Sequence, residues 1–113
     1  MLRNSHISPR MDRPLVPDDE IEAVARRFDV LGEPARLTLL NALRAGEQTV
    51  GELVEATGFR QSNVSKHLRT MAEEGLLTRR RDGVHVYYAL DDPTIGALCL
   101  LVSRRLREEE EMR

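Results

Sequence analysis

Two neighbouring segments decide the fold: Thr49-Val50-Gly51-Glu52-Leu53-Val54-Glu55-Ala56-Thr57-Gly58, and Phe59-Arg60-Gln61-Ser62-Asn63-Val64-Ser65-Lys66-His67-Leu68. Thr49 sits where a helix N-cap belongs, and Glu52 three residues on completes a capping box. Val50, Leu53, Val54 and Ala56 make a short helix that Gly58 closes. Ser62 begins the next helix, in which Val64, Leu68, Met71 and Ala72 recur at helical spacing until Gly75 stops it. At 100° per residue, Leu68 and Met71 fall within about 40° of Val64, while Ser62, Lys66 and Arg69 lie near the opposite pole. A short helix, a tight glycine turn and a helix with one polar face form a helix-turn-helix pattern.

Downstream the period changes from 3.6 to 2. Leu77-Thr78-Arg79-Arg80-Arg81 reads as a strand, Asp82-Gly83 as the hairpin turn, and Val84 to Leu90 as the return strand. Alternation places Val84, Val86, Tyr88 and Leu90 on one face, so Tyr88 reads as core. It sends Arg79 and Arg81 to one side and Arg80 to the other. A hairpin directly after a helix-turn-helix is a wing. Upstream, the acids of Pro17-Asp18-Asp19-Glu20 open a helix over about 18–30, and Gly32 ends it. Glu33-Pro34 opens a second helix that Gly46 ends. Asp91-Asp92-Pro93 opens the last, over about 93–111. The expected class is mainly α with a β-hairpin wing, in the order α-α-α-α-β-β-α. Residues 1–16 read as a flexible tail and 17–113 as one domain.

The 113 residues suit one domain, and 41% apolar with 32% charged residues is ordinary globular composition. No apolar run is long enough for a membrane span, and the N-terminus lacks a signal-like apolar core, so a cytoplasmic location is expected. A single cysteine, Cys99, rules out an intrachain disulfide. The formal charge of −2 argues neither for nor against nucleic acid. Distribution is more telling, because residues 60–81 hold six bases against two acids. This is a candidate polyanion footprint, or else a solvated face.

Phe28-Asp29-Val30-Leu31-Gly32-Glu33-Pro34-Ala35-Arg36-Leu37 resembles the "LGxPxRLxIL" opening of the ArsR (arsenic-repressor, SmtB-like) transcriptional regulators. Gly51 to Val54, Gln61 to Leu68 and Glu74 to Leu77 resemble that family's helix-turn-helix, and Arg81 to Leu90 its wing. The likeness covers about residues 18–110. It implies a winged-helix homodimer that represses transcription on double-stranded DNA and releases it when an inducer, unidentified here, is sensed. It also implies that the first and last helices form the dimer interface. Periodicity agrees, through Ile21, Val24 and Phe28 on one and Ile95, Leu98, Cys99, Val102 and Leu106 on the other.

The candidate DNA-binding residues follow. Ser62 and Ser65 are small enough to let the helix sit deep in a major groove, although Ser62 is equally a sensible N-cap. Lys66 and Arg69 reach phosphate or guanine, and Gln61 and the more lateral Asn63 suit adenine. Arg79, Arg80, Arg81 and the Gly83 tip offer a wing contact, or simply a charged edge that resists aggregation. Arg36 contacts phosphate or pairs with Glu33. His67 reads first as a packing residue.

The metal-sensing members carry a "CVC" stretch where this chain has Thr49-Val50-Gly51, or Asp and His ligands on the last helix. No histidine lies within 91–113, and His6, His67 and His85 share no ligand spacing, so no metal and no cofactor are expected. Cys99 is either a small residue of the dimer contact or a thiol switch. An enzyme is not expected, for lack of a phosphate loop, a nucleophile motif or clustered His and carboxylates. A winged helix that only binds protein is the remaining alternative. The polar face of the second motif helix argues against it, because protein-binding helices expose apolar anchors.

Overall fold

The computed structural model describes residues 13–113, so the greater part of the expected tail, His6 included, lies outside the described residues. Helix α1 (Ile21–Leu31) follows a 3₁₀ turn at Asp18–Glu20. The three acids of that turn stand at the positive end of α1, as expected, but in tighter backbone than an α-helix. α2 (Pro34–Leu43) starts with Pro34 in its first turn, where a missing N–H costs nothing, and it stops three residues before Gly46.

The next element was not foreseen. Gln48–Thr49 forms a short strand, β1, paired antiparallel with the return strand of the wing: Gln48 opposite Tyr88 and Thr49 opposite Tyr87. Two residues are too few for alternation to register in a sequence. Thr49 is also the N-cap of α3 (Val50–Thr57). Its Oγ1 accepts from the Glu52 N–H at 3.1 Å, and Glu52 Oε1 accepts from the Thr49 N–H at 2.9 Å, so the capping box forms as predicted. Gly58 closes α3 at φ +74°, a left-handed conformation that glycine adopts without steric cost.

α4 (Gln61–Glu73) begins one residue earlier than expected, with Arg60 at the N-cap. Ser62 is therefore inside the first turn and does not cap the helix. β2 (Thr78–Asp82) and β3 (His85–Ala89) complete a sheet of order β1-β3-β2. Asp82 pairs with His85, so the turn is Gly83-Val84 rather than Asp82-Gly83. Gly83 alone takes positive φ there (+63°), the pattern of a type II′ hairpin. Val84 consequently leaves the apolar face and stands 89% exposed at the wing tip. α5 (Pro93–Glu111) is capped by Asp92, whose Oδ1 accepts from the Thr94 N–H at 2.9 Å.

The core gathers Leu39, Leu40 and Leu43 of α2, Leu53 of α3, and Val64, Leu68 and Met71 of α4, closed by Leu76, Leu77 and Tyr88. Each large aliphatic buried here contributes roughly 1.5–3 kcal/mol by leaving water. Ile95 belongs to this core as well, at 2% exposure within the single chain. That corrects its expected place in the dimer contact: the first turn of α5 docks on its own protomer, and no face of Ile95 remains for a partner. From Leu100 to Arg113 every residue of α5 and its end is exposed.

Candidate nucleic-acid interface

α4 is held by Val64, Leu68 and Met71, all fully buried, and this fixes which side faces out. Gln61, Ser62, Asn63, Lys66 and Arg69 are exposed, and Ser65 is half-buried at the margin. The face is polar along its length and carries no large apolar side chain. Arg60 supplies no side-chain cap, so the first-turn N–H groups of α4 stand open beside Gln61 and Ser62 at the positive end of the helix. Among the described residues no carboxylate lies within ion-pair distance of Arg60, Lys66 or Arg69. Their charge is open to a polyanion.

The three wing arginines separate by strand register. Arg79 stands opposite Tyr88 and Arg81 opposite Val86, while Arg80 stands opposite Tyr87 on the other face. The predicted alternation therefore holds. Arg79 and Arg81 are exposed and, among the described residues, in no ion pair. Arg80 is different. Its Nε donates to Glu47 Oε2 at 3.1 Å and its Nη2 to Oε1 at 2.6 Å, while Cζ lies 4.6 Å from the Tyr87 ring centroid. Arg80's hydrogen bond holds the Glu47 carboxyl below its ordinary pKa, and the same bond raises that of Arg80. This fork ties the wing to the loop before β1. The structure thus gives Arg80 an acceptor of its own, while its side chain stays about half exposed. The Gly83 tip remains open, with Val84 beside it.

Arg36 is also engaged. Its partner is not Glu33: Nη1 donates to the Val30 carbonyl at 3.0 Å and Nε to His67 Nδ1 at 3.3 Å. Half-buried, it links the end of α1 to the middle of α4. His67 is half-buried as expected. Burial first, and the Arg36 charge second, push its pKa below the ordinary histidine value. Glu47 and the Arg36–His67 contact were not legible in the sequence, because partners 33 and 31 positions apart leave no local signal.

On α1 and α5, Ile21, Phe28, Val102 and Leu106 are about half exposed, and Val24, Leu98 and Cys99 are half-buried. Phe28 and Leu31 of α1 and Leu98, Cys99, Val102 and Leu106 of α5 line one apolar groove. Leu100 and Leu101, outside the predicted stripe, are exposed too. Among the described residues no group of three His, Cys, Asp or Glu is placed to hold a metal ion, and no helix is long and apolar enough to cross a membrane.

Comparison with known proteins agrees with this geometry. The pattern of the family described as bacterial regulatory protein, arsR family, matches residues 33–79. The probable mercury resistance operon repressor of Streptomyces lividans is 38% identical over 86 residues, covering 76% of this chain and 69% of the relative. The crystal structure of the antimony-specific transcriptional repressor AntR superposes with a TM-score of 0.75 at 33% identity, over 95% of this chain and 97% of that one. A homodimeric winged helix-turn-helix DNA-binding domain from Mycobacterium bovis gives 0.72 at 28% identity, over 85% and 92%. The wing, the helix-turn-helix and these likenesses converge: the chain belongs to the ArsR family and is a winged helix-turn-helix transcriptional regulator, not an enzyme.

Proposed function

We propose that the protein is a cytoplasmic repressor that binds an inverted-repeat operator as a homodimer, with residues 17–113 acting as one DNA-binding and dimerisation domain. The observation that carries this reading is the exposed face of α4, where Gln61, Ser62, Asn63, Lys66 and Arg69 are held outward by three fully buried core residues. Small hydroxyls allow close approach to base edges, Gln61 and Asn63 supply amides for adenine, and the cations meet phosphate. Arg79, Arg81 and the Gly83-Val84 tip extend the contact along the backbone. Dimerisation is supported by the half-exposed Phe28, Val102 and Leu106, and a two-fold dimer sets half-sites about one DNA turn apart. The test is selection of bound sequences from random duplex DNA, followed by affinity measurements on selected and random DNA at low and high salt. An enriched palindrome with tighter, less salt-sensitive binding supports the reading. Equal affinity for both DNAs removes it.

A further inference from the structure

Arg36 joins three helices with one side chain. Val30 lies in the last turn of α1, Arg36 in the first turn of α2 and His67 in the middle of α4. The Val30 carbonyl is among those a helix end leaves without an intrahelical donor, and Arg36 Nη1 fills that need. The same guanidinium donates through Nε to Nδ1 of His67. That second bond demands a lone pair on Nδ1, so His67 must be neutral with its proton on Nε2, a tautomer assigned from the bond itself. An imidazolium has donors on both nitrogens. Protonated His67 would present an N–H to the Arg36 N–H, one cation facing another, and the contact could not form.

We infer that Arg36 is a positioning residue that holds α4 in its DNA-reading attitude only while His67 is neutral, so that mild acid loosens this helix and weakens operator binding. The inference rests on the DNA-binding reading above. The charged groups acting on the imidazole are Arg36 and Glu33 from the start of α2 and Lys66 from α4 itself. Burial, Arg36 and Lys66 favour the neutral ring, and only Glu33 opposes them. The sign follows. The brace is intact above the ordinary histidine value, and is lost as the pH falls through His67's own, lower one. A simple charge effect has the opposite sign, since an extra cation on the DNA-facing helix strengthens phosphate attraction.

The experiment measures operator affinity at constant salt between about pH 5.5 and 8 for wild type, His67→Gln and Arg36→Gln, and follows the His67 imidazole by NMR in the DNA-free protein. Glutamine at 67 keeps an acceptor and cannot titrate. His85 and His6 are present in every protein, so the difference between profiles isolates His67. Wild-type affinity should fall about threefold to tenfold on acidification, the worth of one such bond. His67→Gln should lack this component. Arg36→Gln should bind more weakly at pH 7.5 and move the His67 midpoint up towards the ordinary value. Affinity that rises in acid and loses the rise in His67→Gln would make His67 a phosphate contact and overturn the inference. So would a His67 midpoint unmoved by Arg36→Gln. The NMR arm involves no DNA, so it judges the brace even if the DNA-binding reading fails. Should Arg36→Gln not fold, wild type against His67→Gln decides alone.

Discussion

Arg80 of the wing and Glu47 of the loop before β1 form a two-bond fork, 2.6 Å at its shorter arm. Both side chains are substantially exposed, so the fork adds little to global stability. Its effect is local, because it engages the Arg80 guanidinium and ties the wing to the loop before β1. Arg80→Ala should therefore leave the salt dependence of DNA binding unchanged, whereas Glu47→Ala should free the guanidinium and steepen the slope by about one unit. Loss of a full unit on Arg80→Ala would return Arg80 to the phosphate contacts.

The same fork predicts a pH window. The Glu47 carboxyl is lowered chiefly by the Arg80 hydrogen bond, so the contact is complete above the ordinary carboxylate value and is lost only as the pH falls through the lowered one. The Glu47 side-chain carboxyl resonance, followed by NMR, should titrate below the ordinary carboxylate value in wild type and move up in Arg80→Ala. A wild-type Glu47 midpoint at or above the ordinary value would show that the wing is not anchored this way.

Lys66→Ala and Gln61→Ala should separate positioning from reading. Lys66→Ala should weaken binding to all sequences and reduce the salt slope by about one unit. Gln61→Ala should cost about 1–3 kcal/mol on the operator and relax preference at one or two base pairs. Equal losses on specific and random DNA for both variants would deny Gln61 a base-reading role.

Leu106 is 60% exposed, so Leu106→Glu should leave the protomer fold and its melting cooperativity intact while breaking the dimer. Sedimentation should show a dimer for wild type and a monomer for the variant at micromolar concentration. Operator affinity should fall with dimerisation, as the two half-sites lose their linkage. A dimer that survives the substitution would move the interface off α5.

Cys99 is half-buried where α5 begins to leave the protomer, in the groove with Phe28 and Val102. Cys99→Ser should preserve DNA binding, with a stability cost of at most about 1 kcal/mol for a hydroxyl among apolar neighbours. Affinities before and after peroxide or diamide treatment check it. A loss confined to wild type would make Cys99 a redox sensor.

Local signals were enough for the helices. The Thr49–Glu52 capping box, Gly58 and the Val64–Leu68–Met71 stripe act within a few residues, and each formed where its chemistry placed it. The polar face of α4 follows from the same periodicity, so most of the candidate reading surface was legible before any coordinates. Tertiary structure decided the rest. Strand β1 exists because β3 has a free edge beside Gln48 and Thr49. The Asp82–His85 pairing, set by the sheet, moved the turn to Gly83-Val84 and Val84 into solvent. Packing drew Ile95 into the protomer core and left α5 bare from Leu100 onward. In the chain Arg36 reads as a phosphate contact or a partner of Glu33, and Arg80 as a wing contact or a charged edge, because charge is a property of the residue. Whether a cation is free depends on which acceptor the fold brings within about 3 Å, and His67 and Glu47 arrive from more than thirty positions away.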